Sequence, residues 1–109
     1  MDLREELKLM RDYFDSGATQ SFQFRKEQLL LLKRAIEKNE KLIYEALYED
    51  LKKSPEECWV TENGNVIAEI NIALKKLKQW MQPERVGTNL LNFPSSSYIM
   101  KEPLGVVLI

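Results

Sequence analysis

The chain has 109 residues, enough for one modest domain, and its 44% hydrophobic and 30% charged content is that of an ordinary soluble fold rather than a disordered segment. Sixteen basic against seventeen acidic residues leave a formal charge of −1, so there is no global electrostatic footprint for nucleic acid, an anionic membrane or a strongly basic partner. With no histidine and a single cysteine, Cys58, the sequence lacks the usual general base, the commonest zinc ligand and any intrachain disulfide.

The first residues, Met1-Asp2-Leu3-Arg4-Glu5-Glu6, lack the basic start and apolar core of a signal peptide, and no apolar run reaches membrane-spanning length. A cytoplasmic location is therefore the expectation. Leu3, Leu7, Met10 and Phe14 recur at steps of four, three and four, which predicts a helix starting near Asp2 with one apolar stripe for packing. Asp2 suits the N-cap, and Gly17 suits the residue just past the helix end, where a left-handed backbone costs glycine nothing.

A second helical segment carries Phe22, Phe24, Leu29 to Leu32, Ala35 and Ile36. Four leucines in a row cover more than one helix face, as expected of a helix touching two layers or of one that shields an apolar surface supplied by residues outside this chain. Asn39 is a plausible break, after which Leu42, Ile43, Ala46, Leu47 and Leu51 resume helical spacing; a continuous helix bent at Asn39 fits the pattern too. Ser54-Pro55-Glu56-Glu57 is a capping box with proline at the first helical position, so a new helix is expected there, running to the stop at Pro83. Some 27 residues at 1.5 Å each would span about 40 Å. Gly64 within it either permits a close backbone approach or marks a weak point.

From Gln82 to Ser97 the composition turns to Pro, Gly, Asn, Thr and Ser, a crossing loop with Leu90, Leu91 and Phe93 as isolated anchors. Tyr98-Ile99-Met100 reads as a short strand, Pro103 interrupts, and Leu104 to Ile109 reads as a second. The run Val106-Val107-Leu108-Ile109 has no polar alternation, the pattern of a parallel strand covered on both faces. Full burial of each of these residues would contribute roughly 1.5–3 kcal/mol, which predicts that the chain is the front of a longer protein. The fold class expected is mainly α, with three to four helices and a C-terminal strand pair.

No active site emerges from the residues themselves. Cys58 has no histidine to activate it and reads as a structural cysteine. The carboxylates between Glu45 and Glu69 are interleaved with lysines and read as solvated faces rather than metal ligands. Gly105 lies in no glycine-rich phosphate-binding context, so no such cradle is visible.

Ordered landmarks nevertheless resemble one family. Ser16-Gly17 with Phe24-Arg25 and Leu29, Ala46-Leu47 with Asp50-Leu51 and Lys53-Ser54, Glu62, Glu69-Ile70 with Leu77 and Trp80, and above all Tyr98-Ile99-Met100-Lys101-Glu102-Pro103-Leu104-Gly105-Val106-Val107-Leu108-Ile109 look like the N-terminal portion of a class 3-like, fatty or aromatic, aldehyde dehydrogenase. The resemblance covers essentially the whole chain. It implies an α/β parent with a Rossmann-type cofactor domain, in which NAD or NADP takes a hydride as an aldehyde becomes a carboxylic acid through a cysteine thiohemiacetal and a thioester. Residues 1–97 would then brace the cofactor domain and residues 98–109 would enter it, in a parent that is a homodimer.

The same resemblance places the family's oxyanion asparagine, nucleophilic cysteine and general-base glutamate beyond Ile109, so no catalytic, cofactor-binding or metal residue is expected here and the 109-residue chain alone should be inactive. It also makes Thr61, Glu62 and Asn65 candidates for the border of the aldehyde entrance. Asn63 departs from the family, which usually has an apolar residue there. The rival expectation is a free-standing helical interaction module, and an uncovered edge at Val106, Val107, Leu108 and Ile109 would allow self-association.

Overall fold

The computed structural model describes residues 2–109. Its elements in chain order are α1 (Leu3–Asp15), α2 (Phe22–Lys38), α3 (Glu40–Leu51), α4 (Pro55–Cys58), a π-helical turn (Trp59–Asn63), α5 (Gly64–Trp80), β1 (Glu84–Val86), a 3-10 turn (Leu90–Asn92) and β2 (Ser97–Ile99). α4, the π turn and α5 follow one another without a gap, so the mainly helical class with one strand pair holds. The chain divides into two compact units: residues through Phe22 with Lys78–Ile109, and Gln23–Leu77.

In the first unit, the Asp2 carboxylate accepts the Arg4 N–H at 2.9 Å and caps α1. Gly17 adopts φ 76°, its N–H bonded to the Phe14 carbonyl at 3.0 Å. Of the predicted stripe, Leu3, Leu7 and Met10 remain exposed and Phe14 is half-buried, so helical period alone did not specify burial. A Cβ added to Gly105 would lie 3.9 Å from a ring carbon of Phe14, which puts the two ends of this unit side by side.

The strand pair is antiparallel, with Glu84 opposite Ile99, Arg85 opposite Tyr98 and Val86 opposite Ser97. Its membership corrects the expectation. β2 pairs with β1, inside the segment read as loop, and Leu104 to Ile109 forms no strand. The reason is that a strand is completed by ladder hydrogen bonds, and the apolar run has no ladder partner among the described residues. Leu90, Leu91 and Phe93, expected as anchors, are exposed.

In the second unit, α2 and α3 are separated by one residue. Asn39 leaves helical geometry at φ −103°, ψ 14°, yet its N–H and its side-chain amide both donate to the Ala35 carbonyl, at 3.1 and 2.7 Å. The Ile43 N–H then donates to the Asn39 carbonyl at 3.0 Å, so the break is local. α3 ends at Lys52 in the left-handed region, with its ammonium 5.0 Å from the centre of the Tyr48 ring.

The capping box forms as read. Ser54 Oγ accepts the Glu57 N–H at 3.2 Å and Glu57 Oε2 accepts the Ser54 N–H at 3.0 Å, an arrangement that contributes about 1 kcal/mol to such a helix start. The helix so begun packs against α3 and runs about 40 Å to Trp80. The buried residues of this unit are Cys58, Asn63, Ile70 and Leu77.

Candidate functional site

Thr61 and Glu62 sit on the π turn and Asn65 on the first turn of α5, so the capped start at Ser54 sets the direction of all three. The Thr61 hydroxyl donates to the Glu57 carbonyl at 2.7 Å, and the Asn65 amide donates to the Thr61 carbonyl at 3.1 Å. Lys53, just before the cap, closes the cluster: its ammonium donates to Thr61 Oγ1 at 3.1 Å and to Glu62 Oε1 in a short ion pair. The structure thus links Thr61 and Glu62 through a fourth residue, Lys53, that sequence reading missed, with Asn65 joined through the Thr61 carbonyl. The only signal of Lys53 was position, a lysine immediately ahead of a helix whose second turn carries Thr-Glu.

That hydrogen bond to Glu62, opposed in part by desolvation, pushes the Lys53 ammonium above its ordinary value. A raised lysine contributes stability that is present below the unfolded value and fades as pH rises through the folded one. Chemically the cluster is a polar strip, with its carboxylate already neutralised and its donors engaged within the chain. Cys58 is fully buried, as a structural cysteine should be, and among the described residues no three His, Cys, Asp or Glu gather as metal ligands.

Two grooves flank this helix. One, of about 450 Å³, is lined by Ile36, Ile43, Leu47 and Val66 together with Glu62 and Asn63. Asn63 is only 5% exposed and its Nδ2 has no hydrogen-bond partner. The other, of about 380 Å³, is bordered by Tyr44, Tyr48 and Lys53. The Tyr44 hydroxyl donates to Glu40 at 2.6 Å, and this bond, with partial burial and the Glu40 charge, pushes its pKa up to about 12. Because the neutral phenol is favoured in the fold, the associated stability is complete below pH 10 and is lost as pH rises toward 12. In an ultraviolet tyrosinate titration, a step near pH 12 should belong to Tyr44 and vanish in Tyr44→Phe; an unchanged curve would refute the assignment.

No family model matches the chain. Individual proteins do. Over 100 residues the chain is 46% identical to the protein named aldehyde dehydrogenase family 3 member I1, chloroplastic, of Arabidopsis thaliana, covering 92% of this chain and 18% of that protein. Over 97 residues it is 47% identical to the 4,4'-diaponeurosporen-aldehyde dehydrogenase of Staphylococcus aureus, covering 89% and 21%. A solved structure of Staphylococcus aureus AldH, in a substrate-bound state, superposes with a TM-score of 0.87 at 42% identity over 94% of this chain and 23% of that one. The chain is homologous to part of the class 3 aldehyde dehydrogenases.

The chain spans only 18% to 23% of the length of the aldehyde dehydrogenases it matches. Against the solved aldehyde dehydrogenase, the likeness extends over 94% of the chain. No helix among the described residues is long and apolar enough to cross a membrane.

Proposed function

We propose that this chain is the N-terminal part of an NAD(P)-dependent, class 3-like aldehyde dehydrogenase that oxidises aldehydes to carboxylic acids. Residues 1–97 brace the cofactor domain and 98–109 lead into it. The observation that carries this reading is agreement in sequence and fold together, 42% identity with a TM-score of 0.87 over 94% of the chain. A second support is the extent of exposed apolar surface, including Leu90, Leu91, Phe93 and Leu104 to Ile109, which the remainder of a longer enzyme would cover.

Gly64, at the start of α5, is packed against the Trp59 carbonyl, and Gly105 is followed by residues in neither helix nor strand. As the resemblance implies, we assign cofactor, nucleophile and base to other parts of the enzyme, and this chain alone is taken to be inactive. Incubating it with NAD(P) and a panel of aldehydes should give no NAD(P)H; turnover traceable to the chain would overturn that. Sequencing the gene past the Ile109 codon should reveal a Trp-Asn-Tyr-Pro-like segment, and its absence would reject the family reading.

Thr61, Glu62 and Asn65 border the aldehyde entrance in this proposal, with Lys53 holding the first two. In the full-length enzyme Glu62→Gln should raise KM for bulky aldehydes with kcat unchanged. Unaltered KM would remove Glu62 from the entrance. The enzyme is taken to be a cytoplasmic homodimer, to be checked by cell fractionation and by its mass in solution.

A helical interaction module is the second reading, favoured by the same exposed apolar residues. Self-association through Val106, Val107, Leu108 and Ile109 is its simplest form. Val107→Lys should then abolish oligomers in size-exclusion chromatography, and a chain that is monomeric throughout rejects it.

A further inference from the structure

The residues Cys58, Asn63, Ile70 and Leu77 share one buried face, although five residues separate the first two. In an uninterrupted α-helix, at 3.6 residues per turn, positions five apart lie about 140° from each other and cannot face the same way. The π turn reconciles them. It adds one residue to the turn, and the Gly64 N–H reaches back five residues to the Trp59 carbonyl. Counted back from Asn63 in α-helical register, the residue on the buried face would be Trp59, four positions earlier.

The observed register has costs on its own terms. It buries the small side chain of Cys58 completely while leaving Trp59 46% and Val60 68% exposed, so apolar burial favours the alternative. It is not secured by the Asn63 amide nitrogen, which lies buried without a hydrogen-bond partner. It also depends on a missing methyl group, since a Cβ on Gly64 would lie 2.5 Å from the Trp59 carbonyl oxygen. In its favour stand the capping box and the bonds from Lys53 to Thr61 and Glu62. Contributions therefore stand on both sides of the choice between the two registers.

We propose that Pro55–Asn63 exchanges between two helical registers, the observed one with Cys58 inside and an α-helical one with Trp59 inside, so that a one-residue slip gates access to the Cys58 thiol. The device is conformational and independent of the proposed enzymatic role. A partner surface that covers Trp59 and Val60 removes the incentive to slip and keeps the thiol closed. An oxidant or electrophile that captures Cys58 holds the open register.

The test uses the 109-residue chain, in which Cys58 is the single thiol, and a Trp80→Phe background that leaves Trp59 as the reporter fluorophore. Gly64→Ala disfavours the π turn. It should keep its helical circular dichroism, shift Trp59 emission to the blue and label with an aromatic disulfide about tenfold faster or more. A folded Gly64→Ala protein with unchanged emission and labelling overturns the proposal. Deleting Val60 removes the extra residue and restores an α-helix with Cys58 inside, so labelling should fall below that of the parent; faster labelling in a folded deletion protein contradicts the register argument.

If Gly64→Ala fails to fold, the parent chain alone decides. Labelling through a local slip is nearly independent of urea at low concentration, whereas labelling through unfolding follows the global urea dependence from the start. The flat dependence supports the slip, and the steep one overturns it.

Discussion

Ile70→Ala should cost about 2–5 kcal/mol and leave the Gln23–Leu77 unit at the edge of folding. Ile70 is 4% exposed, at the middle of the buried face of α5, and the other buried apolar residues of this unit are Cys58 and Leu77. A cavity there has few neighbours that can collapse into it. Measured as the change in urea midpoint, the loss should be several times that of Ile72→Ala, whose side chain is exposed on the same helix. Equal losses would mean that the burial of α5 does not hold the unit together.

The second large effect has the opposite sign. Asn63→Leu should stabilise the chain by about 1–3 kcal/mol, because it replaces a buried amide whose nitrogen finds no partner with an apolar side chain. For a domain of this size that corresponds to a rise in Tm of roughly 4–8 °C per kcal/mol. A lower Tm would show that the amide is satisfied in solution or that leucine does not fit. The position is also where the sequence departs from the pattern of the aldehyde dehydrogenases it resembles, so the variant restores the apolar character expected there.

What was legible in the sequence was local. Asp2, Gly17, Asn39 and the Ser54-Pro55-Glu56-Glu57 box each act within a few residues of themselves, and all four mark helix boundaries in the structure. Features that depend on distant residues were not legible. β1 is three residues long in a segment rich in loop formers, and only its pairing with Ser97–Ile99 makes it a strand. Leu104 to Ile109 has the composition of a buried strand, yet composition does not provide a ladder. The π turn was hidden because the apolar positions of Trp59 to Trp80 fit a 3.6-residue period closely enough to mask one extra residue.

At the candidate site, Thr61, Glu62 and Asn65 came from family resemblance, whereas Lys53 became visible only as atoms within hydrogen-bond reach. Gly64 was the better clue. Both readings of it were open, and the 2.5 Å between an added Cβ and the Trp59 carbonyl oxygen decides for close packing.

The contact between Phe14 and Gly105 sets an order on birth at the ribosome. α1 emerges first, but the residue it lies beside in its own compact unit is made about ninety positions later, after the whole of Gln23–Leu77. At roughly 5–20 residues per second that delay lasts about 5–18 s, during which α1 lacks the residue it lies beside in the finished unit. The earliest helix of this chain is thus among the last to find its place, and the internal unit, wholly contiguous in sequence, has time to form before it.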